Sequence, residues 1–249
     1  VVAFPQPWSA HAEHQLRAIL HAGAEVHPVP SPALALPRAH ALAARLRLRG
    51  RRPHVIPPGG SSVAGVIGYG AAGLVLPRQI EAGGLPERDA IFVARGTGGA
   101  AAGLAVGLAA AGVTSTIVGV RVVPRAIANR ARIAELIGRT VLRLKRLDER
   151  FPDVAKPARS HVEIDGEELG PGYGAETAVG RYAMRLAREH AGLSLDPTYT
   201  AKAWSGMMRA AAGPRAGQRL LFIDTLSTAA PSFERAPRLP DSLRKLLRR

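Results

Sequence analysis

The sequence contains two glycine-rich segments in which a predicted strand gives way to a predicted helix. The first, Gly96-Thr97-Gly98-Gly99, follows an apolar run over residues 91–94. Glycines at such a turn let backbone amides face an anion, and the N-terminus of the next helix adds a favourable dipole. The Thr97 hydroxyl can donate one more hydrogen bond. The pattern predicts a phosphate site, and its alternative is a tight turn that packs a helix closely onto the sheet.

The same loop nearly matches a dinucleotide-binding fingerprint, Gly96-x-Gly98-x-x-Ala101. That interpretation expects an acidic residue at the end of the next strand, where it would hold the ribose. The next predicted strand leads instead to Arg121 and Pro124, with no carboxylate. An arginine can favour a ribose phosphate. An NADP-dependent oxidoreductase therefore stays open as an alternative.

The second glycine-rich segment also follows a predicted strand, at residues 54–56, and opens a helix. Its sequence is IPPGGSSVAG over residues 56–65. Ser61 or Ser62 can cap the helix, and a capped helix start is a sufficient explanation of the serines by itself.

Five segments, in one order along the chain, resemble the motifs of the D-cysteine desulfhydrase and 1-aminocyclopropane-1-carboxylate (ACC) deaminase family. The family patterns are IPxGGSxxxGxxGY, GSGGTxAGLxxGL, GYGxPTxEG, LDPVYTGKAxxGL and LFxHTGG. Their counterparts here stand at residues 56–69, 96–108, 172–180, 195–207 and 221–227. Five motifs in order are more specific than any one of them. The chain thus resembles a fold-type II pyridoxal-phosphate (PLP) group that is related to the tryptophan synthase β subunit.

The resemblance implies roles for eight residues. Gly96, Thr97, Gly98 and Gly99 would hold the cofactor phosphate, and Thr225 would bind the cofactor from the last motif. Tyr173 and Tyr199 match the two active-site tyrosines, which lie near the substrate and can take part in proton transfer. The alternative for both tyrosines is packing in the core. Thr200 matches the position that faces the pyridine nitrogen of the cofactor.

Two features of the sequence depart from the family motifs, and a third distinguishes between the two activities of the family. Ala100 stands where the family commonly has a threonine, so one hydroxyl donor is missing. Asp224-Thr225-Leu226-Ser227 replaces His-Thr-Gly-Gly, which changes how closely that backbone can approach the cofactor ring. The deaminases tend to have glutamate at the position of Thr200, whereas the desulfhydrases have threonine. Thr200 therefore indicates a D-cysteine-like substrate.

The lysine that carries the cofactor as a Schiff base has no counterpart in the sequence. The family places it in a GGNKxRK motif near the N-terminus, and this chain has no lysine before Lys145. Lys202 belongs to a different family motif. The chain begins Val-Val-Ala-Phe-Pro, as though inside a strand. We expect an N-terminally truncated chain whose catalytic lysine lies upstream, and little or no lyase activity from these 249 residues alone.

The resemblance implies a PLP-dependent lyase or deaminase that acts on a small amino acid. The reaction would be β-elimination, which releases sulfide from D-cysteine, or ring opening of an ACC-like substrate. A non-catalytic relative that binds PLP or another phosphate ligand is the main alternative. We expect a homodimer when the protein is full length, and a cytoplasmic location.

Composition and charge bear on the other possible functions: disulfide-bonded or metal-binding proteins, nucleic-acid binding and membrane contact. The absence of cysteine excludes disulfides and cysteine-ligated metals. The net charge of +15 makes nucleic-acid binding one hypothesis to consider. No aromatic residues lie among the clustered arginines, so we predict no specific nucleic-acid partner.

His11 and His14 are three residues apart on a predicted helix and could bind one metal ion together. No other potential ligands cluster with them, so we predict no metal site. No apolar run reaches the about 20 residues of a membrane span, so we predict no membrane contact.

Alternating helix and strand signals predict an α/β fold, with an open, mostly parallel, twisted sheet and helices on both faces. We expect the remainder of a smaller N-terminal subdomain over residues 1–53, a PLP-binding α/β domain over 54–235, and a basic tail over 236–249. We also expect a helix over 124–147, and a helix that kinks or ends near Pro77.

Overall fold

The computed structural model describes residues 1–225 and 237–248, with the backbone alone at residue 248. The strands are β1 (Val2–Ala3), β2 (Gln6–Pro7), β3 (His27–Pro28), β4 (Ala90–Arg95), β5 (Thr116–Arg121), β6 (Val162–Asp165), β7 (Leu220–Ile223) and β8 (Leu247–Arg248). The helices are α1 (Ala10–His21), α2 (Ala35–Leu48), α3 (Val63–Glu81), α4 (Gly99–Ala110), α5 (Arg130–Leu147), α6 (Ala155–Ser160), α7 (Ala178–Ala191), α8 (Thr200–Ala211) and α9 (Asp241–Arg244).

The chain divides into two compact units, both of them discontinuous in sequence. The smaller comprises Val1–Pro58, Tyr173–Glu176 and Ser227–Arg249, and the larger comprises Gly59–Gly172 and Thr177–Leu226. The domain boundaries expected at residues 53/54 and 235/236 stay predictions.

The larger unit is built on a four-stranded sheet in the order β6-β5-β4-β7, in which every neighbouring pair is parallel. Ile91, Val93 and Ile117 pack into a core that also contains residues of α3, α4, α5 and α6. Phe92 and Val120 belong to a second core, which α8 shares. Helices therefore cover both faces, and the predicted α/β fold with a parallel sheet is confirmed.

The central strand β4 is buried along its whole length. It pairs with β5 on one side and with β7 on the other, so no edge of it is open. Its carboxyl end, at Arg95, leads directly into the loop 96–99. In a parallel sheet this edge is where ligands bind.

Helices α3 and α4 pack with their main chains in contact. A Cβ atom built on Gly107 would lie 2.1 Å from the carbonyl oxygen of Gly70, and one on Gly73 would lie 2.7 Å from that of Leu104. At Gly103 the added atom would lie 2.4 Å from Cβ of Tyr69. These distances are shorter than any real Cβ contact, so glycine at these positions sets the spacing of the two helices.

Three local predictions from the sequence differ from the structure. Residues 54–56 form no strand, and Ile56 is 74% exposed, because no neighbouring strand among the described residues pairs with this segment and supplies ladder hydrogen bonds. Helix α5 begins at Arg130 rather than near residue 124, since the Asn129 side chain caps it by accepting from the Arg132 amide at 2.9 Å. Helix α3 does not end near Pro77 but continues to Glu81, because its contact with α4 at Gly70 and Gly73 holds the helix just before the proline.

Among the described residues, α3 is long and apolar enough to cross a membrane by length and composition. The sequence prediction missed this because the apolar run ends at Leu76, whereas the helix continues to Glu81. Core helices of globular proteins meet the same criterion, so the observation is weak evidence for a span.

The smaller unit has two short parallel pairs, β1 with β3 and β2 with β8. Its described core consists of Leu16 of α1 together with Leu239, Leu243 and Leu246 near α9. The Ser9 side chain caps α1, as predicted, by accepting from the Ala12 amide at 3.0 Å.

The helix contact gives a stability prediction. Gly107→Ala should lower the free energy of unfolding by about 1–3 kcal/mol, because the methyl group has no space against Gly70. Gly68→Ala is the matched control, since nothing lies within 4 Å of its added Cβ. The control should gain about 0.5–1 kcal/mol, because alanine is the better helix former. Urea denaturation measures both, and equal stability of the two variants would contradict the close contact.

Candidate active site

The loop 96–99 is shaped by glycine at the start of α4. Gly98 is the N-cap residue and has φ of 94°, a backbone conformation that favours glycine. A Cβ atom there would also lie 3.2 Å from Cγ1 of Ile133 on α5. Glycine is thus favoured at this position on two grounds, and its conformation turns the chain from β4 into the helix.

The second glycine-rich segment contacts this loop. The hydroxyls of Ser61 and Thr97 share a short hydrogen bond, and Oγ of Ser61 accepts from the Gly99 amide at 3.2 Å. A Cβ on Gly59 would lie 2.5 Å from Oγ1 of Thr97. The two segments therefore form one site. This role for Ser61 was not predicted from the sequence, although Ser61 lies in the first of the five motifs.

Three helix N-termini lie around the loop. Helix α4 begins at Gly99, α3 begins just after Ser61, and Arg132 in the first turn of α5 donates to the carbonyl oxygen of Ser61 at 3.2 Å. Each N-terminus carries a partial positive charge, equivalent to roughly half an elementary charge. Their convergence favours an anion at the loop.

Tyr199 lies on the other flank of the loop. Its Cε1 atom would be 3.3 Å from a Cβ built on Gly96, so the ring contacts the backbone at the end of β4. The residue immediately precedes α8. The structure thus places Tyr199 against Gly96 at the start of the loop, and its role as an active-site tyrosine stays a prediction.

Thr200 is fully buried in a network around Asp196. Its hydroxyl donates to Oδ2 of Asp196 at 2.7 Å, and it accepts from the Asp196 amide at 2.7 Å. The Asp196 carboxylate also accepts from the amides of Thr198, Tyr199 and Thr200, so it caps α8. The position of Thr200 facing the cofactor nitrogen stays a prediction. Its single donor proton is engaged with Asp196 in this structure.

Lys202 is also buried, and its ammonium donates to the carbonyl oxygens of Leu169 at 2.8 Å and Gly172 at 3.3 Å. Burial lowers the pKa of Lys202, and the nearby Glu168 and Asp196 carboxylates act in the opposite direction. These contacts give the side chain a structural role, in keeping with its exclusion as the Schiff-base lysine.

The other lysines of the larger unit lie on its helices. Lys145 bonds Asp153 at 3.3 Å, and Lys156 is exposed on α6. Neither has a contact that assigns it to the loop.

Two remaining predicted residues have different placements. Thr225 is half-buried just beyond the carboxyl end of β7, the strand that pairs with β4, so it lies at the same edge of the sheet as the loop. Tyr173 belongs to the smaller unit and is half-buried there. Leu226 and Ser227, from the same motif as Thr225, lie outside the described residues. Among the described residues, no group of three or more metal-ligating side chains occurs.

Comparison with known proteins decides the family. The sequence model for pyridoxal-phosphate dependent enzymes matches residues 4–225 of the chain. The chain belongs to the pyridoxal-phosphate dependent enzyme family. A curated D-cysteine desulfhydrase from Klebsiella pneumoniae (strain 342) is 33% identical over 167 residues, which are 67% of this chain and 47% of that protein. The predicted resemblance is thereby confirmed, and the chain spans about half the length of this relative.

Solved structures share the fold, and together with the family match they confirm the predicted fold-type II class. The crystal structure of an ACC deaminase homologue matches with a TM-score of 0.68 and 24% identity, covering 92% of this chain and 74% of that chain. The processed form of threonine deaminase isoform 2 from Solanum lycopersicum matches with a TM-score of 0.51 and 15% identity, over 98% and 64% of the two chains.

The Asp196 network gives a second stability prediction. Thr200→Val keeps the shape of the side chain but leaves the Asp196 carboxylate and amide without their hydroxyl partner. We expect the free energy of unfolding to fall by about 1–3 kcal/mol, because unsatisfied buried polar groups are costly. Thr200→Ser keeps the hydroxyl and should recover most of the loss. Thermal unfolding checks both, and a valine variant as stable as the serine variant would contradict the network.

Proposed function

We propose that the loop 96–99 holds the phosphate of PLP and that the protein is a lyase or deaminase acting on a small amino acid. The observation that carries the proposal is the glycine-capped start of α4 at the meeting point of three helix N-termini. This arrangement offers backbone amides and positive dipoles to an anion, and it requires no basic side chain in contact with the phosphate.

The residues around the loop fit a phosphate group. Ala100 lacks the hydroxyl that family enzymes commonly have there, but Ser61 and Thr97 provide two hydroxyls at the same place. Each hydroxyl can donate one hydrogen bond. When the phosphate is bound, the Ser61–Thr97 pair can turn one of these donors toward it.

The bound cofactor supplies an electron sink for negative charge at the α-carbon of an amino acid. The chain's own part is to position the substrate and to move protons. Tyr199 contacts the loop through its ring, and its phenol oxygen is the group we assign to proton transfer or substrate activation. We assign Tyr173 as the second active-site tyrosine, and Thr225 as a cofactor contact beyond β7.

The substrate class we propose is a D-cysteine-like amino acid. The Klebsiella relative is a D-cysteine desulfhydrase, and Thr200 has the residue type that desulfhydrases have at this position. We further propose a homodimer and a cytoplasmic location for the full-length protein, with no nucleic-acid or membrane partner.

The alternative is a protein that binds PLP without turning it over. One observation favours it for the present 249 residues. Lys202 is engaged by two carbonyl groups, and Lys145 is paired with Asp153. No counterpart of the family's GGNKxRK lysine motif occurs in these 249 residues.

Cofactor titration tests the phosphate site. Thr97→Val removes the hydroxyl that pairs with Ser61, and we expect PLP affinity to fall about five- to tenfold, the equivalent of one hydrogen bond. Thr116→Val at the start of β5 is the matched control and should bind as the wild-type protein does. Quenching of intrinsic tryptophan fluorescence measures both. Equal affinity of the two variants, or no binding by the wild-type protein, would overturn the assignment.

Sulfide release tests the activity. The 249-residue chain, loaded with PLP and given D-cysteine, should release no sulfide above the level of PLP alone. A longer chain that also carries the family's GGNKxRK motif should release it. Sulfide from the 249 residues alone would contradict the need for that motif's lysine, and an inactive longer chain would favour the non-catalytic alternative.

A further inference from the structure

Arg95, the last residue of β4, is a buried cation without a carboxylate partner among the described residues. Its side chain is 1% exposed. Two of its nitrogens donate to backbone carbonyls, of Ala128 at 3.2 Å and of Asn129 at 2.7 Å, and its Nε atom has no hydrogen-bond partner. Burying a charge is costly unless an opposite charge compensates it. The fold retains the charge here with only dipoles as partners.

A second arginine lies beside it. Arg121 on β5 is the register partner of Arg95 on β4, so the two side chains leave the sheet on the same face. Burial, together with the charge of Arg121, lowers the pKa of Arg95 to about 10. The guanidinium is therefore still protonated at neutral pH. Arg121 donates to the Gly166 carbonyl at 3.3 Å, which again is not a counterion.

The position of the Arg95 side chain is fixed by glycine. It crosses Gly119 on β5, where an added Cβ would lie 2.8 Å from Cδ of Arg95. A Cβ on Gly98 would in turn lie 3.7 Å from the Nε atom. The guanidinium thus lies directly beneath the loop 96–99. Its hydrogen bonds reach the turn that precedes α5, whose first turn also contacts Ser61.

We propose that Arg95 is a positioning residue for the cofactor phosphate, acting from beneath the loop as a fixed positive charge that selects a dianion. This inference rests on the proposed function and adds a residue to its site. The charge that the described residues leave uncompensated is balanced when the phosphate binds above it. Arg95 also holds the turn at residues 128–129, so the loop and the start of α5 are placed by the same group.

The expected effect is on phosphate-bearing ligands alone. A unit charge within several ångströms of a dianion, at an effective dielectric constant of about 20, changes its affinity by about tenfold or more. A ligand without the phosphate gains nothing from the charge. The ratio of PLP affinity to pyridoxal affinity therefore reports on Arg95 separately from any general loosening of the fold.

The experiment uses the full chain and three variants. Arg95→Met keeps the length of the side chain without its charge, Arg95→Lys keeps the charge, and Arg139→Met removes a 63% exposed arginine from α5 as the matched control. Each is titrated with PLP, with pyridoxal and with inorganic phosphate. We expect Arg95→Met to weaken PLP and phosphate about tenfold and leave pyridoxal unchanged. Arg95→Lys should recover most of the loss, and the control should match the wild-type protein.

A second readout does not depend on affinity. The phosphorus NMR resonance of bound PLP follows the second ionisation of the phosphate, whose pKa is about 6 for a phosphate ester. The charge of Arg95 should hold this pKa lower in the wild-type protein than in the Arg95→Met variant. The proposal would be overturned if the wild-type protein binds PLP and the Arg95→Met variant shows the same ratio of PLP affinity to pyridoxal affinity, and the same phosphate pKa, as the wild-type protein. A wild-type protein that binds neither PLP nor phosphate would instead overturn the proposed function on which it rests.

Discussion

The contact between the main chains of α3 and α4 is the constraint on which the rest of the larger unit depends. Gly70, Gly73, Gly103 and Gly107 let the two helices approach until backbone atoms touch. Their N-termini are then close enough for Ser61 to bond both Thr97 and the Gly99 amide. A larger residue at the crossing would separate the two glycine-rich segments and divide the site.

The charges of the larger unit are arranged on the two sides of its sheet. Arg95 lies on the face covered by α4 and α5, beneath the loop 96–99, and its partners among the described residues are carbonyl groups. On the other face, α8 gathers the buried carboxylates Glu168 and Asp196, which are satisfied by Ser205, Arg209 and the Thr200 network. These two carboxylates therefore lie on the opposite face of the sheet from Arg95, and the groups beneath the loop are a positive charge and helix dipoles. This separation is what a site for a phosphorylated cofactor needs.

Local features of the fold and site could be predicted from the sequence, and contacts between distant segments could not. Gly98 and the serine before α1 follow from turn and capping preferences, which depend on neighbouring residues alone. Alternation along β4 places position 95 on the same face as Ile91 and Val93, but no local pattern shows that a charged residue there is buried. The bond of the Thr200 hydroxyl to Asp196 spans only four residues and belongs to the local start of α8, whereas the bond between Ser61 and Thr97 joins residues that are 36 apart in the sequence. Residues 54–56 have the composition of a strand, and only the missing neighbour strand prevents one.

The most direct test of the central claim is a crystal structure of the chain with PLP. We predict that the phosphate lies at the start of α4, with oxygens accepting from amides of the loop 96–99 and from the Ser61 or Thr97 hydroxyl, above the Arg95 guanidinium. A phosphate bound elsewhere, with this loop making no contact to it, would contradict the account.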